Sequence, residues 1–289
     1  MTELHVLEPG DEAALERFLL PRVDSSMFLL GNMRAVGLRD ESGTYQGTYV
    51  AAWLGGQIAG VAAHYWNGNL VLQAPMDLEP LCRAVLQASG RPLRGLVGPA
   101  GQVEAARRAL ELAAEAIQLD EEEHLYSLAL DEIQVPPALA SGRLRGRRIE
   151  ARDVETVTAW RVGFSVESLG DKESPRLWEA CRAAVQRGLA EGRIWILEDE
   201  GQAVATTAFN TAIREAVQVG GVWTPPELRC RGYGRAAVAA SLLAARAEGA
   251  TRGVLFTGKE NVPAQRAYEA LGFRRVGDYR LLLLRPPAQ

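Results

Sequence analysis

The sequence has little of what marks several large protein classes. It lacks a basic excess: 32 Lys and Arg stand against 36 Asp and Glu, for a net charge of -4. That argues against a general nucleic-acid binder, whose phosphate contacts need positive charge. It lacks any apolar run near the ~20 residues of a membrane span. The longest apolar patch near the C-terminus, Leu281 to Leu284, is far too short. Cysteine is scarce and odd in number, with only Cys82, Cys181 and Cys230. That suits a reducing compartment better than a disulfide framework. The three histidines, His5, His64 and His124, are far apart and show no metal-ligand spacing, so no metal is expected. The first residues, MTELHVLEPGDE, have neither the basic region nor the apolar core of a secretory leader, so a cytoplasmic protein is expected.

What remains is the composition of a globular α/β protein, 47% hydrophobic and 24% charged over 289 residues. That length allows one large domain or two ordinary ones. Two prolines, two glycines, a serine and a run of arginines at 135–148 make the best linker, and place a boundary near residue 140. The expected domains are 1–137 and 141–289.

In the first half, strands are expected at 4–7, 48–54, 57–65, 70–73, 93–97 and 125–130, and helices at 11–20, 25–36, 78–87 and 100–117. The acidic run 120–123 reads as a solvated loop. In the second half, strands are expected at 144–151, 193–197, 203–211, 215–223 and 253–256. Helices are expected at 154–162, 173–188 and 233–248, and another that Asn261 caps and that ends near Gly272. Segments 273–276 and 279–284 read as a C-terminal hairpin. Both halves thus give nearly the same order of elements.

The informative stretch is Val222 to Gly234, VWTPPELRCRGYG. A short strand enters a Pro-Pro turn, Arg229, Gly232 and Gly234 follow as R-x-x-G-x-G, and a helical pattern opens at once. Unsatisfied N–H groups and the helix dipole at such a start favour an anion. The same residues also suit an ordinary strand-to-helix turn with surface arginines, and this stretch alone leaves both readings open.

Three signals in order resemble the GNAT superfamily of acyl-CoA N-acyltransferases. They are Val222-Trp223-Thr224 leading into Arg229-x-x-Gly232-x-Gly234, Asn261-Val-Pro-Ala264 opening the next helix, and Tyr268 in Ala-Tyr-Glu-Ala-Leu-Gly-Phe. The resemblance covers the second half. The first half, with similar element order and no phosphate signature, reads as a degenerate repeat. The expected fold is therefore α/β (α+β), with two tandem GNAT-like domains, each a mixed, mostly antiparallel sheet flanked by helices.

The resemblance implies acetyl-CoA as co-substrate. It implies direct attack of a primary amine, through a tetrahedral intermediate, on a small molecule or peptide. The backbone of Arg231, Gly232, Tyr233, Gly234 and Arg235 would cradle the pyrophosphate, with Arg229 nearby and Cys230 a bystander in the loop. The strand edge at Val222, Trp223 and Thr224 would pair with the pantetheine arm, and a bulge at Gly220-Gly221 would open the slot for it. Asn261 would contact the arm, and Tyr268 would protonate the leaving thiolate. Some relatives carry a Glu base eleven residues before the signature Arg; here that position is Gln218. Glu215, Glu167 and water all remain open as base. The acceptor pocket would be shaped by the loop at about 163–175, where Phe164, Glu167 and Asp171 lie. No nucleic-acid or membrane partner is expected, and the assembly reads as monomer or homodimer. A non-catalytic acyl-CoA-binding or interaction protein stays open as the alternative.

Overall fold

The computed structural model describes residues 2–285. The chain begins with β1 (Glu3–Val6), α1 (Glu12–Leu19), α2 (Val23–Val36), β2 (Gly47–Leu54), β3 (Gln57–Tyr65) and β4 (Asn69–Gln73). Then come α3 (Leu78–Ser89), β5 (Gly95–Pro99), α4 (Ala100–Ala109), β6 (Ile117–Ala129), α5 (Pro137–Ala140) and β7 (Leu144–Arg148). After these come α6 (Val154–Leu169), α7 (Pro175–Ala190), β8 (Ile194–Asp199), β9 (Gln202–Ala212) and β10 (Ala216–Trp223). It closes with α8 (Tyr233–Ala247), β11 (Arg252–Gly258), α9 (Val262–Glu269) and β12 (Arg274–Leu284). No described helix is long and apolar enough to cross a membrane.

Two compact units result, Met1–Leu125 with Val276–Gln289, and Tyr126–Arg275. The cut expected near residue 140 falls inside the second unit. The reason lies in β12. It is one continuous strand, not the expected hairpin, and its residues Tyr279 to Leu283 pair antiparallel with Pro99 to Gly95. Asp278, read as a turn residue, lies within the strand and bonds His124 Nδ1 at 3.1 Å.

The first unit carries the strand order β1-β2-β3-β4-β5-β12. Its first four strands are antiparallel, and β4 and β5 are parallel. Val50, Ala52, Ala62, Leu70 and Leu72 pack against Leu81 and Val85 of α3 and Val103 of α4. Runs such as Val50-Ala51-Ala52 and Val61-Ala62-Ala63 are at most 1% exposed. Strands buried on both faces need this continuous apolar pattern instead of alternation. The second unit repeats the plan. β7, β8, β9 and β10 are antiparallel, β10 and β11 are parallel, and β6 is the further neighbour of β11. Val217, Val219 and Phe209 pack with Val238 and Leu242 of α8 and Tyr268 of α9. Ile194 and Ile196 pack with Val157 of α6 and Val185 of α7.

Two local expectations are corrected. The helix expected to reach residue 117 stops at Ala109, because Glu111 turns left-handed with φ 52°. Residues 120–123 are not a solvated loop but part of β6. Along it Ile117, Leu119, Glu121 and Glu123 are half-buried, and the residues between them are exposed. That is the period of two of a strand with one covered face.

Glu123 is the consequence. Its Oε2 is fully shielded and has no hydrogen-bond partner. Burial, with repulsion from Glu121, pushes its carboxyl up from 4.5 to about 8. The unfolded chain therefore ionises first as pH rises, and the native state loses stability across the window from 4.5 to about 8. Glu123→Gln is expected to match the wild type at pH 4 and to exceed it by roughly 1–3 kcal/mol at pH 9. Thermal melts at the two pH values check this, and an equal gap at both would contradict it.

Candidate active site

The site is built around a strand that leaves its neighbour. β10 pairs with β11 only from Ala216 to Gln218, facing Arg252 to Val254. Both strands then continue, β10 to Trp223 and β11 to Gly258, without further pairing. Against β9, the register of β10 slips between Gly220 and Trp223. Gly221 sits at φ 58°, a left-handed conformation that a side chain would strain. The bulge expected at Gly220-Gly221 is therefore present. It leaves backbone groups of Val219 to Trp223 on the β11 side free of strand partners, as an added strand requires.

The turn after β10 leads directly into the start of α8, whose first N–H groups have no partner within the helix. Gly232 is the N-cap of α8, with φ 79° and ψ 8°. The start of α8 lies close to the strand end. A Cβ on Gly234 would meet Thr224 Oγ1 at 3.4 Å and Val222 Cγ1 at 3.7 Å. Tyr233 points into the fold, 7% exposed, and donates its hydroxyl to Asp199 at 2.6 Å. That bond raises the tyrosine pKa. Cys230 is exposed and left-handed at φ 62°. Arg231 reaches the Glu227 carbonyl at 3.4 Å. Arg235 has a buried Nε with no partner, an unmet donor in the first turn of α8. Open N–H groups, an unpaired strand edge and an unsatisfied guanidinium donor suit a phosphorylated arm laid along β10 and ending at α8.

Arg229 follows a different course from a free phosphate ligand. Its Nε donates to the Thr224 carbonyl at 3.1 Å and its Nη2 to Glu167 at 2.9 Å. Its guanidinium lies 4.9 Å from the Trp223 ring centroid. Glu167 is thereby engaged in an ion pair. Glu215 stands at the far end of β10, eight residues and roughly 26 Å of strand from Trp223. Gln218 is 1% exposed, and neither end of its amide has a partner. Asn261 caps α9, accepting from the Ala264 N–H at 3.2 Å. Tyr268, two turns on, is 8% exposed with its ring edge toward Phe273 at 6.1 Å. Among the described residues no cluster of His, Cys, Asp and Glu is placed to hold a metal.

The expected loop at 163–175 is a correction. α6 runs on to Leu169, and only five residues separate it from α7. Gly163 does not end the helix. A Cβ there would come within 2.8 Å of Trp223 Cζ2, so the glycine marks where the Trp223 ring packs against α6. Phe164 and Glu167 are thus helical residues. The charged residue missed from sequence is Arg161. Its signal was a charge in the stripe Val157, Arg161, Phe164, at i, i+4 and i+7.

In the first unit β4 likewise pairs with β5 over only three residues, Asn69 to Val71, but the groups beyond are taken from within the unit. After β4, the Ala74 N–H is taken by Gln102 Oε1 of α4 at 2.7 Å. Gln73 accepts from Ser25 and Ser26 of α2. The N-cap of α3 is Asp77, left-handed at φ 53°, with a buried Oδ2 that has no partner. A carboxylate thus stands where the second unit presents Gly232.

Residues 158–273 match the family model of the acetyltransferase (GNAT) family. No curated protein matches the sequence. Several solved structures share the fold. A Drosophila protein aligns with a TM-score of 0.68 at 16% identity, covering 100% of both chains. A GCN5-related N-acetyltransferase from Sphaerobacter thermophilus gives 0.59 at 15% identity, covering 100% of this chain and 97% of its own. A tandem GNAT protein from the clavulanic acid biosynthesis pathway gives 0.55 at 13% identity, covering 100% of both. At these identities the likeness is one of fold, and it fits the two-domain plan.

Proposed function

We propose that this chain, with its GNAT domain at residues 158–273 as the working half, transfers an acetyl or other acyl group from acetyl-CoA to a primary amine. The carrying observation is the departure of β10 from β11 after Gln218, beside a helix start opened by Gly232. When bound, acetyl-CoA supplies the acyl group as an activated thioester. The N–H groups of Arg231 to Arg235 would hold its pyrophosphate, with the Arg235 Nε as a further donor. The free edge at Val222, Trp223 and Thr224 would hold the arm by strand addition, and Asn261 would lie along it. Backbone N–H groups at the bulge would steady negative charge developing on the acyl oxygen. Tyr268 would give its proton to the departing sulfur.

No side chain takes the base role in this proposal. Gln218 cannot accept a proton at neutral pH, Glu167 is held by Arg229, and Glu215 is a strand length away. The amine loses its proton to water. The acceptor is a small molecule or a peptide end.

Calorimetry with acetyl-CoA, followed by thiol release across an amine panel, tests the reading. One coenzyme per chain is expected, because Gln102 and Asp77 occupy the corresponding places in the first unit. Release above background is expected with at least one amine. Two coenzymes per chain would overturn the assignment of a single site. Tight binding without release from any amine would favour a coenzyme-binding protein without catalysis.

A further inference from the structure

A cleft beside the strand edge proposed for the coenzyme lies between α6, α7 and the strands β8 to β10. Its walls are mostly apolar, with Phe164, Val185, Ile194 and Trp223 among them. Gly221, the bulge residue, lines it too. The cleft therefore backs directly onto the segment where β10 leaves β11. Thr206 lines it, but its hydroxyl is committed to the Trp195 carbonyl at 2.8 Å.

Arg161 is the one charged group in this wall. Among the described residues it makes no ion pair and no hydrogen bond. Three nearby carboxylates are held by other arginines, Glu155 by Arg182, Glu167 by Arg229 at 2.9 Å, and Glu191 by Arg193 at 3.3 Å, and Glu179 of α7 makes no ion pair with Arg161. Solvent reaches the Arg161 side chain, yet the protein around it thins its hydration and draws its pKa below the ordinary arginine value. Arg187 on α7 adds repulsion. The guanidinium is exposed at the lip of an apolar cleft with no carboxylate of the chain on it, which leaves its fork open to an anionic ligand.

We propose that Arg161 anchors the acceptor, and that the acceptor is an amine whose own chain carries a carboxylate. The guanidinium fork matches a carboxylate in a bidentate pair. Phe164 and Trp223 would cover the carbon chain between carboxylate and amine, and the amine would face the bulge at Gly221. This rests on the acyl-transfer reading above, since it names the second substrate of that same site.

The test compares amino carboxylates of graded chain length with their carboxamides, using thiol release from acetyl-CoA. Wild type is expected to favour the carboxylate in kcat/KM by about 10- to 100-fold, the range of a charge-assisted bond. Arg161→Met is expected to erase that preference, mainly through KM, and to leave carboxamide turnover and acetyl-CoA binding unchanged. Arg161→Lys is expected to restore part of it. Turnover indifferent to acceptor charge, including none with either series while acetyl-CoA still binds, overturns the anchor. Equal losses for both series in Arg161→Met also overturn it. Failure to bind acetyl-CoA at all would instead refute the transferase reading. Should Arg161→Met not fold, the wild-type preference and the Arg161→Lys variant decide.

Discussion

Gly232→Asp is expected to weaken acetyl-CoA binding by at least about 100-fold while leaving the fold intact. Two opposing terms keep the protein folded. A side chain at φ 79° costs about 1–2 kcal/mol. The helix dipole returns a few tenths of a kcal/mol to a carboxylate at this end. Asp77, left-handed at the N-cap of α3 without a side-chain cap bond, shows that the fold accommodates an aspartate in this conformation. Binding has no such compensation. A fixed carboxylate within about 5 Å of a pyrophosphate charge costs roughly 3 kcal/mol per pair at an effective dielectric constant near 20. It also competes for the same N–H groups. Calorimetry and a thermal melt on one sample separate the two effects. A well-folded variant with undiminished affinity would move the coenzyme away from this helix start.

The parts of the site that depend on short range were legible in the sequence. R-x-x-G-x-G, the Gly220-Gly221 pair and the Asn261 cap are each fixed within a few residues by φ requirements and unsatisfied N–H groups. The structure shows a left-handed Gly232, a slipped register at the bulge and a capped α9. What depends on distant partners was not legible. Nothing in residues 274–284 names β5 as the neighbour of β12. The Gly277-Asp278 pair, a common turn signal, instead continues a strand held by His124. Gly163, expected to open a loop, instead lies within α6 at a close packing contact with Trp223. Glu121 and Glu123 read as solvated because charge usually is. The strand period turns them toward a covered face, where one of them stays without a partner.

The same division explains two arginines of the candidate site. Arg229 was recognisable by position in its motif, but its engagement with Thr224, Trp223 and Glu167 is a product of the tertiary fold. That engagement removes a carboxylate from the list of available bases and ties the end of α6 to the end of β10. Arg161 belongs to no motif and becomes visible only when the fold sets it in the wall of the apolar cleft beside Phe164 and Trp223. Local backbone geometry is set by short motifs, whereas the pairing of side chains on helix faces is set by the tertiary fold, which is why the turn after β10 was legible and the surroundings of Arg161 were not.

Tyr268→Phe is expected to lower kcat about 100-fold, the lower end of what a positioned acid contributes. Acetyl-CoA affinity and thermal stability should hold. The ring is 8% exposed and shares a core cluster with Val238 and Leu242 of α8 and Leu271, so phenylalanine keeps the packing and removes only the hydroxyl. Its edge contact with Phe273 at 6.1 Å is likewise independent of the oxygen. The ground state carries no charge on sulfur, and thiolate character develops only as the acyl bond to it breaks. A proton donated there lowers the barrier without tightening the ground-state complex, so the loss falls on kcat and not on coenzyme binding. A purely structural tyrosine would show a falling melting temperature or a uniform loss across donors. An acid makes a sharper demand: acyl donors whose leaving thiol is itself acidic need less help. The gap between Tyr268→Phe and wild type should shrink as the thiol pKa falls along a series of acyl thioesters. A gap independent of leaving-group pKa would remove Tyr268 from the chemistry and leave it as a packing residue of α9.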